Sequence, residues 1–516
     1  MLAFFRKSHK WFSLAATLFI LLFAVSGIIL NHREQLSGVD VSRKLLPPGY
    51  RYMNWNLAAV KGSVKAGGDT VMLYGNIGVW FTKGSYREFH DLNAGFPAGT
   101  DNRKINTLCW SPVSGLHAGT LFGLWRHDKG SWKQILLPVK NPRVVKILQT
   151  GDSLLVMTRS NLFLATGSSG YRKFSEIRVP GGDDSDGKTG LFKTFWVIHS
   201  GEIYGQAGKL IVDAAGLVFI LLCITGLVYF FVPYRLKKLE NGLRRRQLKR
   251  FNKTSLKWHN VAGSWAILFL LLNTTTGMFL RPPLLIPIAG ARVVKIRYTE
   301  LDNPNPWFDR FRDLLYDREL KRFLIATSEG IYYSDDRFAG MLKSFPVQPP
   351  VSVMGINVFE KTGRGRYIVG SFTGIFEWET ATGITTDCIT RLPYTAIGSG
   401  GPPFGSVTVA GYARCNDSTM VLFDYVHGII PLEGKNPFPS MPPEVTGSSP
   451  LSLWNTCLEI HTGRIFEPLL GPFYILVVPL AGLATLFVLI TGFFAWWLAK
   501  RRRIRTISEE NLSGSY

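Results

Sequence analysis

Four long apolar stretches dominate the hydrophobic pattern of this 516-residue chain: Trp11–Leu30, Leu210–Val232, Val261–Leu280 and Pro472–Leu498. Each is long enough to cross a hydrocarbon core of about 30 Å at about 1.5 Å of rise per helical residue. The first stretch could also be a secretory signal, but no small-x-small cleavage site follows it. The pattern therefore predicts four transmembrane helices, with the first retained as an anchor.

The two long segments between these helices read as short strands separated by Gly, Asn, Asp and Ser turns. A motif of Gly or Asn followed by two apolar residues recurs in both segments. It occurs at Gly78-Val79-Trp80, Gly123-Leu124-Trp125, Asn161-Leu162-Phe163, Gly330-Ile331-Tyr332, Gly374-Ile375-Phe376 and Gly428-Ile429-Ile430. The spacing is close to that of a four-stranded propeller blade, about 40–45 residues. Three blades from each segment would close a six-bladed propeller, and a pair of β-sandwiches is the alternative.

An internal duplication organises the helices. The segment from Ser8 to Leu30 aligns without gaps on that from Trp258 to Leu280, which places His9 on His259 and Gly27 on Gly277. The second and fourth helices repeat as well, because Ile198-His199-Ser200-Gly201 matches Ile460-His461-Thr462-Gly463, and Ile224-Thr225-Gly226 matches Ile490-Thr491-Gly492. The repeat predicts two helix pairs related by a pseudo-two-fold axis along the membrane normal.

The formal charge of +23 is concentrated in three short segments. Lys and Arg cluster before the first helix, between residues 235 and 257, and after residue 499. Because short loops rich in Lys and Arg stay on the cytoplasmic side, both termini are expected in the cytoplasm, with both long loops on the outer side of the membrane. The charge is thus a topology signal with a lipid bilayer as partner, and no nucleic acid is expected.

The expected fold class is membrane α plus extracytoplasmic β, a four-transmembrane-helix bundle with a β-propeller-like outer domain formed by both loops. Its predicted segments alternate between cytoplasm, membrane and periplasm. They are 1–32 (cytoplasmic N-terminus and helix 1), 33–198 (outer β segment 1), 199–234 (interfacial segment and helix 2), 235–257 (basic loop), 258–281 (helix 3), 282–460 (outer β segment 2), 461–499 (interfacial segment and helix 4) and 500–516 (basic tail).

The five cysteines give no metal-site spacing. Cys223 falls in the second predicted helix, and the other four fall in the outer segments. An oxidising compartment permits one or two disulfides there, and buried unpaired cysteines are the other possibility.

The histidines carry the chemistry. His9 and His259 lie at the cytoplasmic ends of helices 1 and 3, and His199 and His461 lie shortly before helices 2 and 4. A single boundary histidine is ordinarily an amphipathic anchor. The pseudo-two-fold axis, however, makes His9 face His259, and His199 face His461. Two imidazoles, one on each face of a porphyrin, leave haem iron six-coordinate and suited to electron transfer. No Cys-x-x-Cys-His motif occurs, so two haems of the non-covalent b type are expected.

Other polar residues near the outer boundary have candidate roles around the second haem. His32 is a spare ligand that could replace His199 or His461, or a contact to the outer domain. Asp213 could orient a ligand histidine or carry protons, or could be an interfacial residue satisfied by water. Four cations could pair with haem propionates or snorkel to the interface: Arg33, Lys209, Arg281 and Arg464. No catalytic residue is singled out.

The residues around these histidines resemble a known family. Arg6-Lys7-Ser8-His9-Lys10-Trp11, the run from His199 to Gly205, Trp258-His259 and His461-Thr462-Gly463-Arg464-Ile465 are similar to the PepSY-associated transmembrane proteins. The resemblance implies a bacterial inner-membrane protein tied to iron uptake and similar to dihaem ferric-siderophore reductases. The outer segments depart from the family pattern, because they contain no PepSY module.

We therefore expect an electron-transfer protein, an oxidoreductase that takes electrons from a cytoplasmic or quinol donor and reduces ferric iron or a ferric siderophore on the outer side. The alternative from a different class is a non-enzymatic binding or signalling module, in which the propeller captures a ligand and the helices anchor it.

Overall fold

The computed structural model describes residues 1–83, 86–183, 186–352, 355–394, 405–416 and 419–513. The chain forms two compact units. A helical unit comprises Met1–Leu36, Gly187–Asp302 and Trp454–Tyr516, and a strand unit comprises Ser37–Asp186 and Asn303–Leu453.

Four long helices build the helical unit: α1 (Leu2–Asn31), α3 (Gly205–Lys237), α4 (Leu243–Met278) and α9 (Val477–Ser513). Each contains a window that is long and apolar enough to cross a membrane. Helices α1 and α4 each pack against both α3 and α9. Small residues permit this close packing, since a Cβ on Gly216 would lie 2.9 Å from Ile28 and one on Gly482 would lie 2.8 Å from Met278.

Helices α3 and α4 extend well into the basic connection predicted at 235–257. Helix α3 continues to Lys237 and α4 begins at Leu243, so only a short turn joins them. Lys and Arg are good helix formers, and no Gly or Pro occurs between Gly242 and the apolar part of α4. Helix α4 is therefore longer than its apolar part.

Two short helices, α2 (Leu191–Ser200) and α7 (Leu453–His461), stand at equivalent places in the two halves. Each is followed by a glycine in the left-handed region, Gly201 at φ 80° and Gly463 at φ 75°, and then by a 3-10 turn. This C-terminal cap satisfies the last carbonyls and reverses the chain towards α3 and α9. His199 and His461 thereby come to the last turn of their helices.

Three smaller helices complete the described helical structure: α5 (Ile286–Ala289), α6 (Pro443–Gly447, in the strand unit) and α8 (Glu467–Leu470). Two small strand pairs accompany them. Strand β1 (Asp40–Val41) pairs with β27 (Leu451–Ser452) in the strand unit, and β14 (Lys188–Gly190) pairs with β15 (Arg292–Val294) in the helical unit.

The strand unit contains six antiparallel sheets in which the strand order follows the chain. The first half of the chain supplies three sheets: sheet 1 with β2 (Gly62–Lys65), β3 (Val71–Gly75), β4 (Gly78–Thr82) and β5 (Phe89–Asp91); sheet 2 with β6 (Ile105–Ser111), β7 (Gly115–Thr120), β8 (Gly123–Asp128) and β9 (Ser131–Ile135); and sheet 3 with β10 (Val144–Thr150), β11 (Ser153–Thr158), β12 (Leu162–Thr166) and β13 (Ser175–Ile177). The second half supplies the other three: sheet 4 with β16 (Phe311–Asp317), β17 (Arg322–Thr327), β18 (Ile331–Ser334) and β19 (Lys343–Ser344); sheet 5 with β20 (Val358–Gly363), β21 (Arg366–Ser371), β22 (Gly374–Glu379) and β23 (Thr385–Asp387); and sheet 6 with β24 (Val409–Asn416), β25 (Thr419–Asp424) and β26 (Gly428–Glu433).

The recurring motif of Gly or Asn followed by two apolar residues marks the same place in every sheet, the turn into the third strand. Gly123, Gly330 and Gly374 adopt φ values near 146°, which side-chain-bearing residues rarely adopt. The two apolar residues that follow enter the third strand and contribute to its packing, as Leu124 and Ile375 do with no exposed surface. The motif thus combines a tight turn with a core position.

The sheets pack on one another through separate hydrophobic cores, each between two neighbouring sheets. Leu73 and Trp80 of sheet 1 share a core with Val421 and Phe423 of sheet 6, although the two sheets lie at opposite ends of the unit's sequence. The other five cores join sheets 1 and 2, 2 and 3, 3 and 4, 4 and 5, and 5 and 6. The first strands contact one another in the same order, and β24 contacts β2.

All five cysteines are free. Four of them are buried: Cys223, Cys388, Cys415 and Cys457. Of the two possibilities that the sequence allows, disulfides or buried unpaired cysteines, the structure has the second.

Candidate functional site: two histidine pairs

Two pairs of histidine rings meet inside the helical unit. The ring centres of His9 on α1 and His259 on α4 lie 6.0 Å apart, with an angle of 72° between the ring planes. Those of His199 on α2 and His461 on α7 lie 5.9 Å apart, with an angle of 46°. Each pair takes one histidine from each half of the internal repeat.

The spacing of the rings matches that needed to hold one metal ion between them. Two imidazoles on opposite sides of one ion have ring centres about 6.4 Å apart, given about 2.1 Å for each metal–nitrogen bond and about 1.1 Å from nitrogen to ring centre. The observed 6.0 and 5.9 Å are close to this value. In the described part of the chain no group of three or more His, Cys, Asp or Glu residues could hold a metal, so the pairs offer two protein ligands each.

Hydrogen bonds at Nδ1 fix the tautomer of all four rings. Carbonyl oxygens accept from three of them, Val488 O from His9 at 3.0 Å, Asn273 O from His199 at 3.0 Å and Phe23 O from His461 at 3.1 Å. A carbonyl cannot donate, so Nδ1 must carry the proton in each of these rings. In a neutral ring, Nε2 then carries a lone pair that can bind a metal ion.

The fourth ring reaches the same state through a hydroxyl. Nδ1 of His259 lies 2.9 Å from Oγ1 of Thr225, and that hydroxyl donates its own hydrogen to Leu221 O at 2.6 Å. Thr225 must therefore accept from His259, which protonates Nδ1 there too. Such a bond at the second ring nitrogen is the usual support of a metal-binding histidine.

Each histidine packs on a glycine of a neighbouring helix. A Cβ would lie 2.7 Å from Cε1 of His9 at Gly492, 2.5 Å from Cε1 of His199 at Gly277, 3.2 Å from that of His461 at Gly27 and 3.6 Å from that of His259 at Gly226. At Gly277 and Gly492 any side chain would displace the ring. The four contacts form two symmetric sets, because Gly27 matches Gly277, and Gly226 matches Gly492, in the repeat.

A Ser or Thr precedes each of these glycines. The hydroxyls of Ser26, Thr225, Thr276 and Thr491 all donate to carbonyls one turn earlier in their own helices. Ser26 also lies 3.0 Å from Nδ1 of His461. The recurrence of a Ser/Thr-Gly dipeptide in all four long helices is the signal in the sequence that corresponds to these contacts.

Burial keeps the His199–His461 pair neutral. Burial lowers the pKa of His199, and burial together with the repulsion that a protonated His199 would exert lowers the pKa of His461 to about 3. The backbone hydrogen bond at Nδ1 opposes this shift and is outweighed. Both rings therefore stay unprotonated at Nε2 over the physiological range.

His32 and Asp213 form a separate polar group and do not join either pair. Nε2 of His32 lies 2.8 Å from Oδ2 of Asp213, and the Asn31 amide donates to Oδ1 at 2.8 Å. The Asp213 carboxylate thus holds the end of α1 against α3 and does not orient any of the four paired rings.

The four boundary cations have different surroundings. The Arg33 guanidinium lies over the Trp454 ring at 3.7 Å, and Lys209 forms an ion pair with Glu202 at 3.0 Å. Arg464 pairs with Glu459. Arg281 has a buried Nε atom without a hydrogen-bond partner among the described residues, and burial together with the nearby charge of Arg464 lowers its pKa. Arg281 and Arg464 are therefore near enough for their charges to interact.

Comparisons with known proteins complete the description. A family model described as PepSY-associated TM region matches residues 165–500. No curated protein matches the chain in sequence. Two matched solved structures from B. thetaiotaomicron are named as the extracellular domain of a one component system and of a hybrid two component system. Each is 11% identical over 76% of this chain and 34% of the other, with TM-scores of 0.36 and 0.35. The chain thus spans about a third of the length of these structures.

Proposed function

Because the chain belongs to the PepSY-associated TM region family, a family of membrane proteins, we propose that it is a b-type dihaem electron-transfer protein of the bacterial inner membrane. His9 and His259 would be the axial ligands of one haem, and His199 and His461 those of the other. When bound in this way, a bis-histidine haem exchanges single electrons and has no open position for oxygen.

The observation that carries the proposal is the meeting of four histidines as two pairs at 6.0 and 5.9 Å between ring centres. Anchoring histidines at a membrane boundary would have no reason to meet across the two halves. The protonation of Nδ1 also supports the proposal, because it leaves Nε2 as the ligand nitrogen in every ring.

The protein's own groups set the properties of such a site. The carbonyls of Val488, Asn273 and Phe23 hold the rings in one orientation, and burial keeps His199 and His461 neutral and ready to bind metal. Arg281, with its buried and unpartnered Nε, and the neighbouring Arg464 would neutralise the propionates of the haem held by His199 and His461. Arg33 and Lys209 remain the further candidates for this role.

The strand unit would be a six-bladed β-propeller. Six meandering sheets, six cores between neighbours and the packing of the last sheet on the first support a closed ring over a pair of sandwiches. By the positive-inside rule, the termini would lie in the cytoplasm and the propeller in the periplasm. Electrons would pass from a cytoplasmic or quinol donor to ferric iron or a ferric siderophore at the outer side.

An absorption spectrum tests the proposal. Protein purified in detergent from haem-replete cells is expected to be red and to show a sharp Soret band and α-band after dithionite reduction. Replacing any one of the four histidines by Ala is expected to weaken one haem and retain the other, because each pair is a separate site. His90→Ala, at an exposed histidine of the strand unit, is the matched control and should retain both.

A colourless preparation from haem-replete cells would contradict the electron-transfer proposal and favour a binding or signalling module. Loss of both haems from every single variant would indicate general misfolding rather than two independent sites.

A further inference from the structure

The strand unit contains a cavity of about 400 Å³ at the place where the first strands of its six sheets come together. Every one of these strands supplies a lining residue. Examples are Lys65 on β2, Asn106 on β6, Lys146 on β10, Arg312 on β16, Glu360 on β20 and Arg414 on β24. A volume of this size is typical of a site for a small molecule, at roughly 300–1,000 Å³.

The lining of the cavity is strongly basic. Eight of its residues are Lys or Arg, and two, Asp313 and Glu360, are acidic. A cavity lined by one sign of charge and walled by protein concentrates the field and attracts counter-ions of the opposite sign. The basic segments that act as a topology signal lie elsewhere in the chain, so this cluster requires its own explanation.

Ion pairs hold part of the basic lining in place. Lys146 contacts Asp313 at 2.9 Å, with both side chains about one-fifth exposed. Arg159 contacts Asp309 at 2.7 Å, and Lys361 contacts the fully buried Asp317 at 2.8 Å. These contacts fix the positions of three cations at the wall and make the site preformed rather than dependent on mobile side chains.

Arg312 is the most informative member of the lining. Its Nη1 donates to two carbonyl oxygens, those of Asp309 at 3.0 Å and Phe311 at 2.9 Å. Burial and the neighbouring charge of Arg159 lower its pKa to about 10, outweighing the opposite effect of Asp309. The protein thus holds a guanidinium where positive charge is unfavourable, and a bound anion would relieve that cost.

We propose that this cavity binds a small oxyanion with two or more negative charges, of the polycarboxylate or phosphate class. Guanidinium and ammonium groups form their strongest hydrogen bonds with such oxygens. The side-chain amides of Asn106 and Asn357 also line the cavity. Each donates one hydrogen to a backbone carbonyl, that of Val144 or Val409, and has a second hydrogen to offer a ligand. The site lies in the strand unit alone, so the proposal does not depend on haem.

Isothermal titration of the full-length protein in detergent with citrate, and separately with pyrophosphate, tests the proposal. At least one of the two should bind, and its affinity should fall as salt rises, because the attraction is between charges. The anion that binds more tightly identifies the class of the ligand, a polycarboxylate if it is citrate and a phosphate if it is pyrophosphate. Acetate, a monovalent oxyanion, should bind far more weakly.

Variants of the lining make the test specific. Arg312→Gln should weaken binding about tenfold or more, the usual effect of removing one charge-assisted hydrogen bond. The double change Arg143→Gln and Arg414→Gln removes two exposed cations of the lining, and it guards against misfolding of the Arg312 variant. Glu360→Gln removes a negative charge from the same wall and should tighten binding. Lys133→Gln, at an exposed lysine of sheet 2 outside the cavity, should change nothing.

Three results would overturn the proposal: no binding of either anion at low salt, equal binding of acetate, or binding that the cavity variants do not change. The haem spectrum is independent of these measurements. A colourless protein that binds citrate would support the anion site alone. A red protein that binds neither anion would support the haem proposal alone.

Discussion

At the scale of single residues, the four paired histidines differ in what accepts the Nδ1 hydrogen. His9 donates to the carbonyl of Val488 in α9, whereas its counterpart His259 has the hydroxyl of Thr225 as a partner in addition to a backbone hydrogen bond to Leu222. The Thr at the equivalent position, Thr491, forms hydrogen bonds to carbonyls of its own helix and, among the described residues, to no histidine. Thr225 and Thr491 correspond in the repeat, and yet the hydroxyl of Thr225 binds a histidine whereas that of Thr491 binds its own helix.

This difference gives a prediction for Thr225→Val. Loss of the hydroxyl removes the acceptor 2.9 Å from Nδ1 of His259 and leaves the backbone hydrogen bond to Leu222. Loss of such a partner typically lowers metal affinity about 10–100-fold. Haem retention on dilution, followed by absorbance, should fall at the His9–His259 site. Thr491→Val, the matched control, should keep both haems because no histidine depends on that hydroxyl. Equal behaviour of the two variants would contradict the assignment of Thr225.

Sequence alone could identify the four histidines but not what supports them. The repeat placed His9 opposite His259 because a symmetry argument needs only matched positions. It could not show that Gly277 lies under His199, since the face that one helix presents to another depends on rotation and crossing angle, which the apolar pattern of a membrane helix leaves open. The apolar pattern therefore does not separate the Ser/Thr-Gly dipeptides, whose glycines lie against the histidine rings, from Gly216 and Gly482, which pack on Ile28 and Met278.

At the scale of elements, the ends of α2 and α7 position one histidine pair. Gly201 follows α2 at φ 80°, and a Cβ there would lie 2.3 Å from the carbonyl oxygen of Gly208. The chain can therefore turn from α2 into α3 only with glycine at this position. Because His199 occupies the last turn before the glycine, the position of its ring depends on the turn.

Gly201→Ala is expected to lower the melting temperature and to weaken the His199–His461 haem selectively. The strained backbone alone costs about 1–2 kcal/mol, and the clash with Gly208 adds to it. The matched control is Gly190→Ala at the start of the same helix, where φ is −64° and nothing lies within 4 Å of an added Cβ. Differential scanning calorimetry and the haem spectrum measure both effects. Intact stability and spectrum in Gly201→Ala would show that the turn is not needed.

The strands of the outer segments were more predictable than their assembly. The motif of Gly or Asn followed by two apolar residues located the third strand of all six sheets, because a tight turn and a buried position leave a local mark in the sequence. The helix that continues from Leu243 through the basic region left no such mark. Lys and Arg are good helix formers, but in a sequence they indicate a cytoplasmic segment regardless of its conformation.

At the scale of the whole strand unit, the packing of sheet 6 on sheet 1 joins its two sequence ends. The Tyr412 amide donates to Lys61 O at 3.2 Å, and Gly411 lies so close that an added Cβ would be 2.5 Å from the Cα of Lys61. No local pattern could predict this contact, because it joins residues that are far apart in sequence and depends on the summed geometry of every sheet between them.

Gly411→Ala is therefore expected to destabilise the strand unit by about 1–3 kcal/mol, the usual cost of overpacking against backbone that cannot move aside. Gly363→Ala, in β20, adds a Cβ with its nearest neighbour at an ordinary 3.8 Å and should have little effect. Urea unfolding followed by tryptophan fluorescence compares the two. Similar unfolding midpoints would mean that the first and last sheets do not depend on each other.

The exchange of histidines between the two halves has a consequence for how such a molecule could have arisen. His9 rests on Gly492 and His259 on Gly226, so neither repeat can complete a pair by itself. A single-copy ancestor would have possessed both sites only as a homodimer, with two chains contributing identical groups. Joining two copies through the short turn between Lys237 and Leu243 would make that partnership permanent and would let the two copies diverge. The Asp213 carboxylate, whose counterpart in the second copy is Pro479, is a one-sided feature of the kind that such a joined chain can carry.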